Sequence, residues 1–252
     1  MRTRYSVWMD QKAMHDIDPS IYIIDISESP SSIEVLTMRN GGRDGSHLIN
    51  RYRQSLTVSV QFMVREYGTQ RRKEIFSRIA AWAKSGKYLS ISDRPSQRLR
   101  AVCIAPPTVQ SSLKWTETQE ITFTAYEKPY WEEEYAIKAT ASGNAGSVNL
   151  FVPGNADKAL LCFSAANVSG AALTAFSVSV NGTKMQFSGL NVPSGGKIEA
   201  YYDDDGYLHI PMANRTPDSN DDLIVRCGEF NKISFTADQA VSVTFTARGR
   251  WE

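Results

Sequence analysis

The chain is poor in the residues that do chemistry. Its 252 residues hold three cysteines, Cys103, Cys162 and Cys227. They are widely separated, odd in number and without CxxC spacing, which excludes a disulfide framework or a thiolate zinc site and marks them as buried reduced thiols. Histidine is equally scarce. His15, His47 and His209 are the full set, none has a zinc-type partner, and no GxSxG segment is present, so neither a metallohydrolase nor an esterase has a starting point. An excess of one charge is also missing: 28 Lys and Arg against 27 Asp and Glu leave a net +1, and no global field draws the chain to nucleic acid or a membrane surface. No apolar run approaches the ~18 residues of a membrane span, and Met1 to Tyr5 carries no secretory apolar stretch. The expectation is a soluble chain made in the cytoplasm, with no membrane partner and no cofactor.

What is present is alternation. Leu56, Val58, Val60, Phe62 and Val64 fall on one face and Thr57, Ser59, Gln61, Met63 and Arg65 on the other, a half-buried strand in which only Met63 breaks the pattern. After Tyr67-Gly68-Thr69, Ile75, Phe76, Ile79, Ala80, Trp82 and Ala83 recur at helical spacing, with Thr69 placed as N-cap and Gly86 as the C′ glycine. Tyr88, Leu89 and Ile91 begin another strand that Asp93-Arg94-Pro95 ends. This strand, helix, strand unit, with the helix near 70–85, is the expected nucleus of a first domain over 1–135.

Shorter strands are expected at Arg4 to Met9, Ser20 to Ile26, Arg98 to Ile104 and Glu120 to Tyr126. From about 27 to 55 the chain turns polar, with Ser29-Pro30-Ser31-Ser32 and Gly41-Gly42-Arg43-Asp44-Gly45 around a single weak strand, Ile33 to Met38. The glycines do not make a phosphate loop, because GxxxxGK[ST] is absent. A connection this long inside a domain usually works for something. It reads either as an arm lying on a neighbouring molecule or as a surface loop.

Beyond Tyr135 the composition shifts to Ala, Ser, Val, Gly and Asn, in short strands divided by turns. Strands are expected from Val148, Ala159, Ala175, Lys184, Lys197, Tyr207, Leu223, Lys232 and Val241, with Asn181-Gly182 and Asp205-Gly206 as hairpin turns. Many short strands without a helix indicate a β-sandwich over 136–252. The fold class is therefore mainly β: an N-terminal antiparallel β domain with one α-helix, followed by a sandwich.

The candidate sites are few. Asp203-Asp204-Asp205-Gly206 has the oxygen-rich look of a calcium loop but lacks its register and distal glutamate, and reads as a charged hairpin tip. The consecutive Glu132, Glu133 and Glu134 do not converge as an acid and base pair should, and read as a solvated linker. Arg71, Arg72 and Lys73 crowd the first helical turn, where the macrodipole disfavours cations by about 0.3–1 kcal/mol each. Either screening with nearby Glu66 and Glu74 compensates them, or they meet an acidic surface of another subunit, such as the one carrying Glu132 to Glu134. Tyr201, Tyr202 and Tyr207 offer rings that stack on a pyranose or simply pack. No residue set qualifies as catalytic or metal-binding.

Across nearly its whole length the chain resembles the distal tail (Dit) proteins of non-contractile, long-tailed bacteriophages (siphophages). The likeness runs through Gly42-Arg43-Asp44-Gly45, the helix ending near Trp82, Asp93-Arg94-Pro95, and Thr122-Phe123-Thr124-Ala125 leading into Lys128-Pro129-Tyr130-Trp131. It continues through Pro153-Gly154-Asn155, Asn181-Gly182, Phe187-Ser188-Gly189-Leu190, Gly228 to Ile233 and Arg248-Gly249-Arg250-Trp251. The resemblance implies a structural virion protein of the tail tip or baseplate, not an enzyme. It implies a homo-hexameric ring built by the first domain and an arm gripping a neighbour; the candidate subunit contacts are Arg43 and Asp44 in that segment and Arg71, Arg72 and Lys73 at the helix start. The tail tube protein would join above and a tail-associated fibre or hub protein below, with DNA only in transit through the opening. The second domain, a galectin-like or carbohydrate-module-like sandwich, would project outward toward receptor-binding proteins or the host. A carbohydrate-binding protein contacting host cell-wall polysaccharide is the alternative, although His209, Asn214 and Arg215 lack the spacing of sugar-binding galectins and no tryptophan lies between Trp131 and Trp251.

Overall fold

The computed structural model describes residues 5–38, 47–107, 117–203, 206–211 and 222–252. The chain divides into two compact units, Met1–Trp131 with Glu252, and Glu132–Trp251. The strands in chain order are β1 Val7–Met9, β2 Lys12–Ala13, β3 Ile21–Ser29, β4 Ile33–Met38, β5 His47–Arg53, β6 Leu56–Val64, then helix α1 Thr69–Ser85, β7 Tyr88–Ile91, β8 Gln97–Arg100, β9 Val102–Ala105, β10 Gln119–Ala125 and β11 Trp131–Glu133. The second unit continues with β12 Ile137–Val152, β13 Ala159–Asn167, β14 Phe176–Val180, β15 Thr183–Phe187, β16 Lys197–Tyr202, β17 Leu208–His209, β18 Ile224–Val225, β19 Glu229–Ala247 and β20 Arg250–Trp251.

In the first unit β6 forms the middle of an antiparallel sheet ordered β3-β6-β10-β9. Its apolar face, Leu56, Val58, Val60, Phe62 and Val64, is fully buried, as alternation predicts. The helix covers that face: Phe76 meets Phe62 with ring centroids 5.9 Å apart, and Trp82 meets Phe123 of β10 edge-on at 6.2 Å. Fully burying each such side chain contributes roughly 1.5–3 kcal/mol. The strands β2-β1-β7-β8 form a further antiparallel ladder.

Both helix ends differ from expectation. Thr69 is already helical, and the N-cap is the extended Gly68, with no side-chain cap; the Glu66 carboxylate accepts the Gly68 amide instead at 2.9 Å. Gly86 ends the helix in extended backbone, not in a left-handed turn. A Cβ there would crowd the Asp10 carboxylate, which lies 3.0 Å from its position and accepts the Lys87 and Tyr88 amides at 3.0 and 2.9 Å. The expected single strand from Arg98 to Ile104 is two: it breaks at the buried Ala101, so that β8 pairs with β7 and β9 with β10. Alternation cannot reveal a strand that changes sheet midway.

In the second unit β19 is one long bent strand where two had been expected. Its first part pairs with β14 and its second with β13, while β12 runs along its other side throughout. Those two strands join the halves of a sandwich whose core includes Phe163, Phe176, Phe187, Phe235 and Phe245. β12 starts eleven residues before the expected Val148, hidden because its Ala, Ser and Gly residues carry little strand signal. Asn181 and Gly182 have φ of 50° and 82°, as a two-residue type I′ hairpin needs. The three cysteines form no disulfide with one another and are partly buried, and burial pushes the Cys103 and Cys162 thiols up, away from reactive thiolate.

Candidate interaction surfaces

The segment between β3 and β6 is a two-stranded antiparallel hairpin, β4 paired with β5, with no third strand among the described residues. Sequence reading missed β5, whose alternation is broken by Asn50 and by a register shift opposite Leu36-Thr37. Ser32 and Gln54 close its base. Along it Ile33, Val35, Leu36, Met38 and Ile49 are 53, 51, 48, 52 and 54% exposed. A lone two-stranded ribbon is marginal in water, and this one carries five half-exposed apolar side chains. Arg43 and Asp44 lie outside the described residues.

The cations opening α1 find partners within the chain. Arg71 donates to Asp18 at 2.9 Å and lies 3.9 Å from Glu66. Arg72 is 9% exposed and its Nη1 donates to the carbonyls of Glu66 and Tyr67 at 2.7 and 3.2 Å. Asp18, not Glu74, is thus the main compensating carboxylate. Lys73 points outward. Burial pushes the Asp18 carboxyl up, but hydrogen bonds from the Ser20 hydroxyl and amide, together with Arg71, outweigh it and hold the group below the usual carboxylate range. A carboxyl depressed on folding stabilises fully above its unfolded value near 4, and that contribution is lost as pH falls through the lower folded value. Asp18→Asn is therefore expected to cost about 1–2 kcal/mol in urea unfolding at pH 7 and progressively less as pH falls below about 4.

The glutamates after Trp131 are not a solvated linker. Glu132 is 8% exposed and its Oε1 accepts from both Nε and Nη2 of the buried Arg250 at 3.2 Å. Glu133 accepts the Trp251 indole N–H at 2.9 Å. In the first unit Glu28 accepts from Arg94 Nε at 2.9 and 3.0 Å and from Trp131 Nε1 at 2.8 Å, with the Arg94 guanidinium 5.3 Å from the centre of the Trp131 ring. The Asp93-Arg94-Pro95 turn and the Tyr130-Trp131 pair, separate in the sequence, are locked together there. Glu28 was missed, since a carboxylate on the polar side of a strand looks solvated. Asn231 was missed for a similar reason. Its buried amide accepts from Asn181 Nδ2 and the Arg226 amide, and donates to the Leu150, Arg226 and Glu229 carbonyls, organising the turn after Cys227.

The three tyrosines separate. Tyr201 is 45% exposed and lies flat on His209, centroids 5.4 Å apart and planes 13° apart, while His209 Nε2 meets Asp203 Oδ2 at 2.7 Å. Tyr207 is exposed and its amide donates to Asp203. Tyr202 turns away: its hydroxyl donates to Asp222 at 2.8 Å, and burial plus that carboxylate push its phenol up. Asp203 is thus committed to hairpin closure. Asp204, Asp205, Asn214 and Arg215 lie outside the described residues. No three or more His, Cys, Asp or Glu side chains among the described residues converge as a metal centre would need, and no helix there is long and apolar enough to cross a membrane.

Among the described residues the chain thus combines mostly antiparallel sheets, one helix across a sheet face, a separate two-stranded ribbon and a sandwich. Compared with solved structures, the chain matches the Dit protein of phage SPP1, a hub adsorption apparatus of phages infecting Gram-positive bacteria, with a TM-score of 0.70, 13% identity, and 98% and 99% of the two chains covered. It also matches a chain of the phage P2 baseplate in its activated, calcium-containing conformation, with a TM-score of 0.52, 8% identity, and 99% and 98% covered. No family model and no curated protein sequence matches.

Proposed function

We propose that this chain is a structural component of a phage tail tip, a distal tail hub that forms a closed hexameric ring and performs no turnover. One observation carries the reading beyond fold likeness: the β4–β5 ribbon displays five half-exposed apolar side chains that its own unit leaves uncovered. A head-to-tail ring covers such a surface with the next copy, because each subunit then uses two different complementary faces and the last closes on the first. In this reading the tail tube protein joins one side of the ring and the tail-associated fibre or hub protein the other, with DNA passing through. The second unit faces receptor-binding proteins or the host surface. The remaining cation at the helix start, Lys73, and the segment carrying Arg43 and Asp44 are candidate contacts between copies; Arg71 and Arg72 contribute chiefly inside the chain.

Electron microscopy and light scattering of the purified chain, alone and with the adjoining tail proteins, test this. Closed rings are expected in the presence of those proteins. Monomers that never close in their company would overturn it.

A further inference from the structure

Asn181-Gly182 is the one Asn-Gly pair among the described residues; the other in the sequence, Asn40-Gly41, lies outside them. It joins β14 to β15, and because Val180 pairs with Thr183 across it, these two residues are the whole connection. The Asn181 side chain is not idle. Its Nδ2 donates to Asn231 Oδ1 at 2.7 Å and to the Ile224 carbonyl at 3.3 Å, which ties the hairpin tip to β19 and β18. Thr183 Oγ1 holds the opposite side of the tip, donating to the Val180 carbonyl at 2.7 Å and accepting the Ile224 amide at 3.2 Å.

Asn231 is buried, and its amide has one workable orientation. Its Oδ1 also accepts the Arg226 amide at 2.8 Å, and its Nδ2 donates to the Leu150, Arg226 and Glu229 carbonyls. Turning the amide over would set its nitrogen against the Arg226 amide and its oxygen against three carbonyls. The oxygen facing Asn181 therefore requires a donor on Asn181.

We propose that Asn181 is a self-modification site, deamidating through the backbone nitrogen of Gly182, and that the conversion undoes the clasp between the β14–β15 tip and Asn231. This goes beyond the tail-hub reading and does not depend on it. Asparagine is among the thermolabile residues, and glycine places no side chain in the way of its own nitrogen. The Gly182 nitrogen attacks Asn181 Cγ and gives up its proton to solvent; the N–Cγ bond forms as Cγ–Nδ2 breaks, and ammonia leaves with a proton returned from solvent. Water then opens the cyclic imide at the Asn181 main-chain carbonyl, leaving isoaspartate, or at Cγ, leaving aspartate. Nothing is oxidised or reduced.

Both products put a carboxylate where a donor stood. Held in place, it would face two acceptors, Asn231 Oδ1 and the Ile224 carbonyl, with no proton to share. Isoaspartate does more, since it lengthens the main chain by a methylene and a two-residue turn cannot absorb the extra atom. The fold also gates the reaction. Asn181 is held at φ of 50° with Nδ2 on two acceptors, and the side chain must leave both before Cγ can close on the Gly182 nitrogen. The rate is therefore that of the open chain multiplied by the fraction of time the tip is open.

The full chain is aged in mildly alkaline buffer, folded and urea-unfolded, and the mass gained on exchanging NH2 for OH is mapped by peptide so that Asn181 is read apart from Asn40. Conversion at Asn181 should occur in both samples and run about tenfold or more slower in the folded one. In the aged chain, and in Asn181→Asp, the urea midpoint of the second unit should fall and the Arg226 amide should exchange several-fold faster, while exchange along β13 stays as it was. The proposal is overturned if Asn181 stays intact in the folded chain through an ageing that converts the unfolded chain many times over. Equal rates in the two samples would overturn it as well, and so would an Asn181→Asp chain that matches the parent in both midpoint and Arg226 exchange.

Discussion

Replacing Ile33 and Val35 by glutamate is expected to turn the proposed ring into single subunits while leaving the fold intact. Both residues lie on β4, two positions apart and so on one face, and both are about half exposed. Burying the remainder of each against a neighbour is worth about 1 kcal/mol, and burying an unpaired carboxylate in its place costs several. Repeated at every junction of a closed ring, the penalty is multiplied and assembly fails. Inside the subunit both positions are already about half exposed, so the melting temperature should move by no more than surface substitutions usually cause, within about 0.5 kcal/mol. Light scattering and thermal unfolding on one preparation check both halves. A variant that still closes rings would show that the ribbon is not what joins the copies.

The second large effect is expected from Gly154→Ala, with the loss of a stably folded second unit. Gly154 has φ of +128°, which L side chains rarely adopt, and an added Cβ would lie 2.0 Å from the Arg250 carbonyl oxygen and 2.9 Å from the Arg250 carbonyl carbon and amide nitrogen. All three atoms are backbone, so no rotamer change relieves the clash. The neighbourhood cannot yield easily either, because the Asn155 and Ala156 amides both donate to that same carbonyl and the Arg250 side chain is tied to Glu132. Conformational strain alone costs of order 1–3 kcal/mol, and the overlap adds to it. Against a total stability of about 5–15 kcal/mol this is severe. Urea unfolding followed by the second unit's signal should show a midpoint shifted far down or no transition. Gly170→Ala, where nothing lies within 4 Å, should change little and serves as the control.

These two sites also show how unevenly the sequence reveals the protein. Strands with apolar residues every second position were legible, β6 above all, since burial on one face leaves a periodic trace. So was the helix body, through Ile75, Phe76, Ile79, Trp82 and Ala83. Its ends were not, because Gly68 and Gly86 are answered by Glu66 and by Asp10, the latter some 76 residues away in the chain. The tyrosine group was half legible: composition places three rings near one hairpin, but only cross-strand pairing puts Tyr201 on His209 and sends Tyr202 to Asp222.

Charge was the least legible of all. Three consecutive glutamates look solvated until Arg250 and Trp251 are brought against two of them, and Arg71 and Arg72 look unpaired until Asp18 and two carbonyls arrive. Residue order alone determined that the described part of the protein is β-rich with one helix, because periodicity and composition are local properties. Which carboxylates are spent internally, which side chain pins the Asn181-Gly182 turn and which apolar side chains remain uncovered were decided only by the tertiary structure, because each depends on partners distant along the chain.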